Sequence, residues 1–404
     1  MDATVEDLGV VVVAAMRAAG YTEVTIRQYG KTIKLLGLFV KERGGVYSSV
    51  LGAQFAALTT SPRTARFSPS RRWDYGRVVA VFDALVDTGQ VVLTRQCRGS
   101  SAPRPRSPEF IAVDGAWEAD MVDRGLGVST RDSYGRAARD FLVYLEGQGV
   151  TRLDDVRASM MPGFLTSLLD RWAESALCGY VSYLRPFLVF VRRPDLVDAV
   201  KLAGLRRPRH VVPVIAEEDV ARVVDVCSTP GKVTARDAAL TLLGLTTGLR
   251  ACDIIALRLG DIDWRAQTVS LVQQKTGNPV VLPLTDLVVG RLADYVLSER
   301  PRVDDDHVFL RRIAPHTPLA CYASVDWSFA TVFTAAGVSM SGLGACTRLL
   351  RHTAATRLLR AGTPLPVISA VLGHAQPEST SVYLTVDDER LRSCVLPVPA
   401  GALS

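Results

Sequence analysis

Four side chains carry most of the chemistry in this sequence. Arg351, His374 and Tyr383 fall inside one 33-residue stretch, RHTAATRLLRAGTPLPVISAVLGHAQPESTSVY, and Arg250 stands upstream in TTGLRACDIIALRLGDIDW. Two guanidinium groups can clamp the non-bridging oxygens of a phosphate through fixed forks of donors, an imidazole can add a third hydrogen bond, and a phenol hydroxyl can attack phosphorus. A phenol with an ordinary pKa near about 10 becomes a good phosphoryl acceptor when cations surround it. Taken singly, Arg250 reads as a solvated charge, His374 as a cap beside Gly373 and Tyr383 as a core aromatic. Their grouping points instead to covalent cleavage of a phosphodiester.

Together these segments resemble the tyrosine recombinase family, the phage-type integrases, which share their chemistry with type IB topoisomerases. The resemblance spans roughly residues 115–395. In that family an arginine follows a T-G-L turn with an acidic residue three places on, matched here by Arg250 after Thr247-Gly248-Leu249 and by Asp253. A hairpin lysine follows, matched by Lys275 in QQKTGNPVVLPL, then an H-x-x-R element, then L-G-H, matched by Leu372-Gly373-His374, and a tyrosine nine residues later, matched by Tyr383. The resemblance implies that Arg250 and Arg351 stabilise the pentavalent phosphate, Lys275 protonates the departing 5′ oxygen, His374 donates to the phosphate and Tyr383 is the nucleophile. Asp253 is expected to hold the Arg250 guanidinium in a hydrogen-bonded pair. One position departs from the pattern: the H-x-x-R element reads Arg348-Leu349-Leu350-Arg351. Arg348 can bind phosphate, but a guanidinium with a pKa above about 12 only donates, so it does not deprotonate Tyr383. His352 is a poor substitute because adjacent helical residues point roughly 100° apart. The proton acceptor stays unassigned.

The 404-residue chain is 48% hydrophobic, enough for two or three packed domains, and its net charge of +6 suits nucleic acid without requiring it. Basic stretches stand at 95–106, RQCRGSSAPRPR, and 205–210, LRRPRH. The seven cysteines form no C-x-x-C pair and their odd number argues against a disulfide framework, so a reducing cytoplasm is the expected location. The apolar run Leu8–Met16 is too short for a membrane span and follows acidic rather than basic residues, unlike a signal peptide. The histidines lack H-x-x-x-H spacing and nearby cysteines, and no glycine-rich phosphate loop occurs; neither a metal nor another cofactor is implied.

The elements that must position these residues read as mainly α. Helical N-terminal domains are expected to precede an α-rich catalytic domain with a small antiparallel β-sheet, an integrase-like DNA breaking-rejoining fold. The expected divisions are an additional helical domain at 1–95, a basic linker at 96–112, a helical core-binding domain at 113–203, a linker at 204–213, the catalytic domain at 214–394 and an apolar tail at 395–404. Apolar residues at Ile26, Tyr29, Ile33, Leu36 and Val40 have helical spacing, and Thr130–Gly149 repeats the pattern of Thr25–Gly44 at an offset of 105 residues. Four or five helices are expected over 120–200, the first capped by Ser129. Further helices are expected over 217–227, 234–245 and 285–300, a hairpin over 267–283 turning at Thr276-Gly277-Asn278, and helix from there to about Arg392. In similar recombinases the C-terminal element docks into a neighbouring protomer, and the tail VLPVPAGALS suits such an exchange.

The resemblance therefore implies a site-specific DNA recombinase that forms a 3′-phosphotyrosyl link and frees a 5′-hydroxyl; the extra N-terminal domain favours integration or transposition of a mobile element over resolution of chromosome dimers, which stays open as the other role. Its implied partners are double-stranded DNA at recombination sites and further copies of itself, as a tetramer on two sites, with accessory directionality proteins as an option and no membrane. A type IB topoisomerase and a catalytically silent DNA-binding regulator are the alternatives, the latter raised by Arg348.

Overall fold

Residues 4–62, 65–93, 103–202, 212–340 and 346–373 are described in the computed structural model. The chain divides into two compact units, one of Cys97–His210 and the other of Met1–Gln96 with Val211–Ser404.

The first four helices are α1 (Val5–Ala18), α2 (Glu23–Lys41), α3 (Ser49–Ala56) and α4 (Pro69–Thr88). Thr4, Thr22, Ser48 and Ser68 cap them, each side-chain oxygen accepting a backbone N–H three residues on. The run Leu8–Met16 lies in α1, where Leu8, Val12 and Met16 turn inward, and all five apolar positions read from α2 are buried. These helices enclose a core of their own around Met16, Leu36, Phe55 and Phe82, yet they share a compact unit with 211–404.

The unit Cys97–His210 holds α5 (Pro108–Asp123), α6 (Val128–Gly147), α7 (Met161–Leu168), α8 (Glu174–Phe190) and α9 (Pro194–Leu202). Its core centres on Trp117, Phe141, Phe164 and Phe187. α5 begins inside the stretch expected as linker, because Phe110 is fully buried in that core and Glu146 Oε1 accepts from Arg106 N and Ser107 N. α6 starts after Gly127 rather than at a Ser129 cap. The repeated stretches are both helical and both run out at a glycine with positive φ, Gly44 and Gly149.

In the remaining segment α10 (Glu217–Ser228) precedes α11 (Ala235–Thr247), which is buried along its whole length except at Thr246 and is accordingly central, packed by α10, α13, α14 and α15. After α12 (Ala251–Ala256) come β1 (Ile262–Asp263), β2 (Thr268–Val272) and β3 (Pro279–Pro283), an antiparallel sheet in sequence order with Val269 opposite Leu282 and Val272 opposite Pro279. α13 (Asp286–Asp294) runs into a π-helical turn at Tyr295–Glu299, and α14 (Tyr322–Ala335), α15 (Cys346–Arg360) and α16 (Leu365–Leu372) follow. Residues 300–321, expected as helix, are instead irregular with isolated bridges at His307 and Pro318; Pro301, Pro315 and Pro318 deny a helix its donors there. Among the described residues no helix is long and apolar enough to cross a membrane.

Candidate active site

α11 stops because Gly248 adopts a left-handed φ of 64°. A side chain there would also meet Leu372 Cδ2 at 2.9 Å and Ala354 Cβ at 3.3 Å, so the T-G-L turn presses directly on α15 and α16. Arg250, two residues on, is the N-cap of α12 in an extended conformation and is half-buried. Its Nη1 donates to Gln273 Oε1 at 2.7 Å and its Nη2 to Gly373 O at 3.1 Å. Both acceptors are neutral and, among the described residues, no carboxylate lies within ion-pair distance, so the guanidinium keeps its charge for an anion.

Arg351 reaches the same corner from α15. It is buried, 8% exposed, and donates through Nη1 to Gly248 O at 2.8 Å and through Nη2 to Leu372 O at 2.6 Å. Two arginines a hundred and one residues apart thus converge on the C-terminus of α16. Those carbonyls are ones an α-helix end leaves unpaired, which is why cations settle there. Gly373 closes α16 with φ 60° and is the last described residue before His374.

Lys275 stands exposed on the turn between β2 and β3. The root of that turn is tied by Gln273 N to Asn278 O at 2.9 Å and Gly277 N to Gln273 O at 2.8 Å. Asp253 does not pair with Arg250 as expected. From the first turn of α12 its buried Oδ1 accepts from Gln274 N at 2.8 Å, so the carboxylate anchors the lysine's hairpin instead.

Gln273 went unread as a site residue. It is 1% exposed, and its Oε1 accepts from Arg250 and, at 3.0 Å, from Thr276 Oγ1, while its Nε2 donates to Leu372 O at 3.2 Å. One amide therefore links the first arginine, the hairpin and the α16 terminus. A Cβ on Gly373 would lie 1.9 Å from Gln273 Oε1, so only glycine fits beside it. Period-two alternation from Val269 puts Gln273 on the inward face of β2, and a polar residue at an inward position was the available signal.

Arg348 is exposed one turn before Arg351 on α15. His352 is half-buried, and burial together with the cations of Arg348 and Arg351 pushes its pKa down to about 4. It stays neutral at neutral pH and is a feeble base. His374, Tyr383 and the tail lie outside the described residues. Metal-capable side chains gather, among the described residues, at Asp305, Asp306 and His307, where Asp305 accepts from His307 and Asp306 from Arg258.

Comparison with known proteins bears on this arrangement. The sequence profile described as the phage integrase family matches residues 213–390. A protein of Sinorhizobium fredii named as an integrase/recombinase, y4rF, is 32% identical over 288 residues, covering 69% of this chain and 67% of that protein. The tyrosine recombinase XerC of Mesorhizobium japonicum is 28% identical, covering 71% and 95%. Among solved structures, the XerH site-specific recombinase bound to its difH substrate in a pre-cleavage complex covers 89% of this chain and 94% of its own, with 15% identity and a TM-score of 0.52, a likeness of fold.

Proposed function

We propose that this chain, which belongs to the phage integrase family of tyrosine recombinases, cleaves and rejoins double-stranded DNA at specific sites through Tyr383. In this reading Arg250 and Arg351 hold the non-bridging oxygens of the scissile phosphate and His374 donates to them. The Tyr383 oxygen forms a bond to phosphorus as its proton passes to solvent, the bond to the 5′ oxygen breaks, and Lys275 supplies the proton that leaves with the 5′-hydroxyl. The phosphotyrosine conserves the bond free energy, so that hydroxyl of a partner strand reverses the step without an external energy source.

The observation that carries the reading is the convergence of Arg250 and Arg351 on Leu372 and Gly373, immediately before His374 and linked through Gln273 to the hairpin of Lys275. Preorganised donors of this kind are usually the largest catalytic contribution. We further propose a tetramer on two DNA sites, acting in the cytoplasm in the integration or transposition of a mobile element.

A second reading is a DNA-binding regulator without cleavage. It is favoured by Arg348 in place of a histidine and by the low basicity of His352. Covalent trapping on a nicked duplex made from the flanks of the element separates the two. A protein–DNA adduct in the wild type that is absent from Tyr383→Phe supports the recombinase; specific binding without an adduct in either protein supports the regulator.

A further inference from the structure

Between α2 and α4 the N-terminal helices leave a groove of about 470 Å³, lined on one wall by Arg27, Gln28 and Lys31 and on the other by Ser70, Arg71 and Asp74. Asp74 is already bonded to Arg77 at 3.0 Å. Arg27 and Lys31 continue into Lys34 as an exposed stripe along one face of α2; among the described residues none of the three forms an ion pair, although, beside the larger effect of Arg17, the Arg27 cation helps hold the Glu23 carboxyl below its usual range. The acid at the start of the same helix, Glu23, is bonded to Arg17 at 3.1 Å.

Like charges three and four residues apart on a helix repel by a few tenths of a kcal/mol each, so this stripe is held against a small standing cost. It runs about 10 Å along the helix axis, and opposite that length a DNA duplex carries about six phosphate charges. The donors of Arg27 and of Arg71, whose Nη1 also reaches Thr60 O at 3.4 Å, together with the amide of Gln28 and the hydroxyl of Ser70 in the same groove lining, suit phosphate oxygens better than a single carboxylate. We propose that the α2–α4 groove binds the phosphate backbone of duplex DNA, giving the protein a contact outside the core-binding and catalytic segments. The choice of DNA over an acidic protein surface rests on the recombinase reading.

The test uses the full chain and the triple variant Arg27→Gln, Lys31→Gln and Lys34→Gln, binding a long duplex of random sequence across a range of salt. Each phosphate contact contributes about 0.9 to the slope of log K against log salt, so the variant's slope is expected to be shallower by about 2 to 3. Arginine in place of Lys31 and Lys34 is expected to preserve the slope. Melting temperature is expected to hold, because the replaced groups are exposed and none is in an ion pair among the described residues. Superimposable slopes overturn the proposal; superimposable slopes with loss of assembly on DNA overturn it in favour of an acidic protein partner. A shallower slope in a protein whose wild type forms no adduct supports the groove while removing the cleavage reading.

Discussion

Alanine at position 373 would place a methyl group 1.9 Å from Gln273 Oε1, on a backbone with φ 60°. The left-handed conformation costs a non-glycine residue about 1–2 kcal/mol. The overlap expels the Gln273 amide, which loses its bonds with Arg250, Thr276 and Leu372 O, together about 3 kcal/mol at roughly 1 kcal/mol each. Gly373→Ala alone should therefore cost about 4–5 kcal/mol, and Gln273→Ala, which removes the same bonds, about 3 kcal/mol. In the double variant the space is already open, so only the backbone conformation is added and the total stays about 4–5 kcal/mol rather than the additive 7–8 kcal/mol. Urea unfolding of the four proteins measures this coupling of about 3 kcal/mol. Single-turnover adduct formation on the nicked duplex should tell the same story, with each single variant and the double slowed by a similar factor of about 10–100 as Arg250 loses its support. Additive losses in unfolding and in rate would mean that Gln273 and Gly373 do not share the contact, and would refute the positioning argument.

Restoring the family's histidine by Arg348→His adds a group able to take a proton near neutral pH; the adduct rate should rise by a factor of about 10²–10⁴ if proton removal from Tyr383 limits it, and a flat pH–rate profile in the variant would show that it does not. His352, whose pKa falls from 6.5 to about 4 on folding, binds more protons when unfolded across that window. Its contribution to stability is thus complete above pH 6.5 and is lost as the pH falls toward 4. His352→Gln should flatten that part of the stability–pH curve, measured by urea midpoints, and an unchanged curve would assign the acid sensitivity elsewhere.

The local features of this protein are legible in its residues because short-range physics decides them. Gly248 breaks α11 wherever the helix lies, Thr285 caps α13 by reaching its own third N–H, and the alternating apolar residues on either side of Thr276-Gly277-Asn278 set the hairpin. The same locality singled out Arg250 and Arg351 as candidates, since their surroundings in the chain match a known pattern. Local rules failed where proline overrode helical spacing after Arg300 and where Phe110 drew α5 back into the stretch expected as linker. They failed in the site as well. Three residues separate Asp253 from Arg250, near enough to suggest a pair, yet the carboxylate turns to Gln274 N on the hairpin, 21 residues away. Gln273 meets Leu372 O across 99 residues and Arg250 meets Gly373 O across 123. Such contacts exist only after α11, α15 and α16 have packed, because a hydrogen bond needs its donor and acceptor within about 3 Å. The residue types and their order determined what chemistry this chain can perform; the packing of its helices decided which groups hold the arginines in place to perform it.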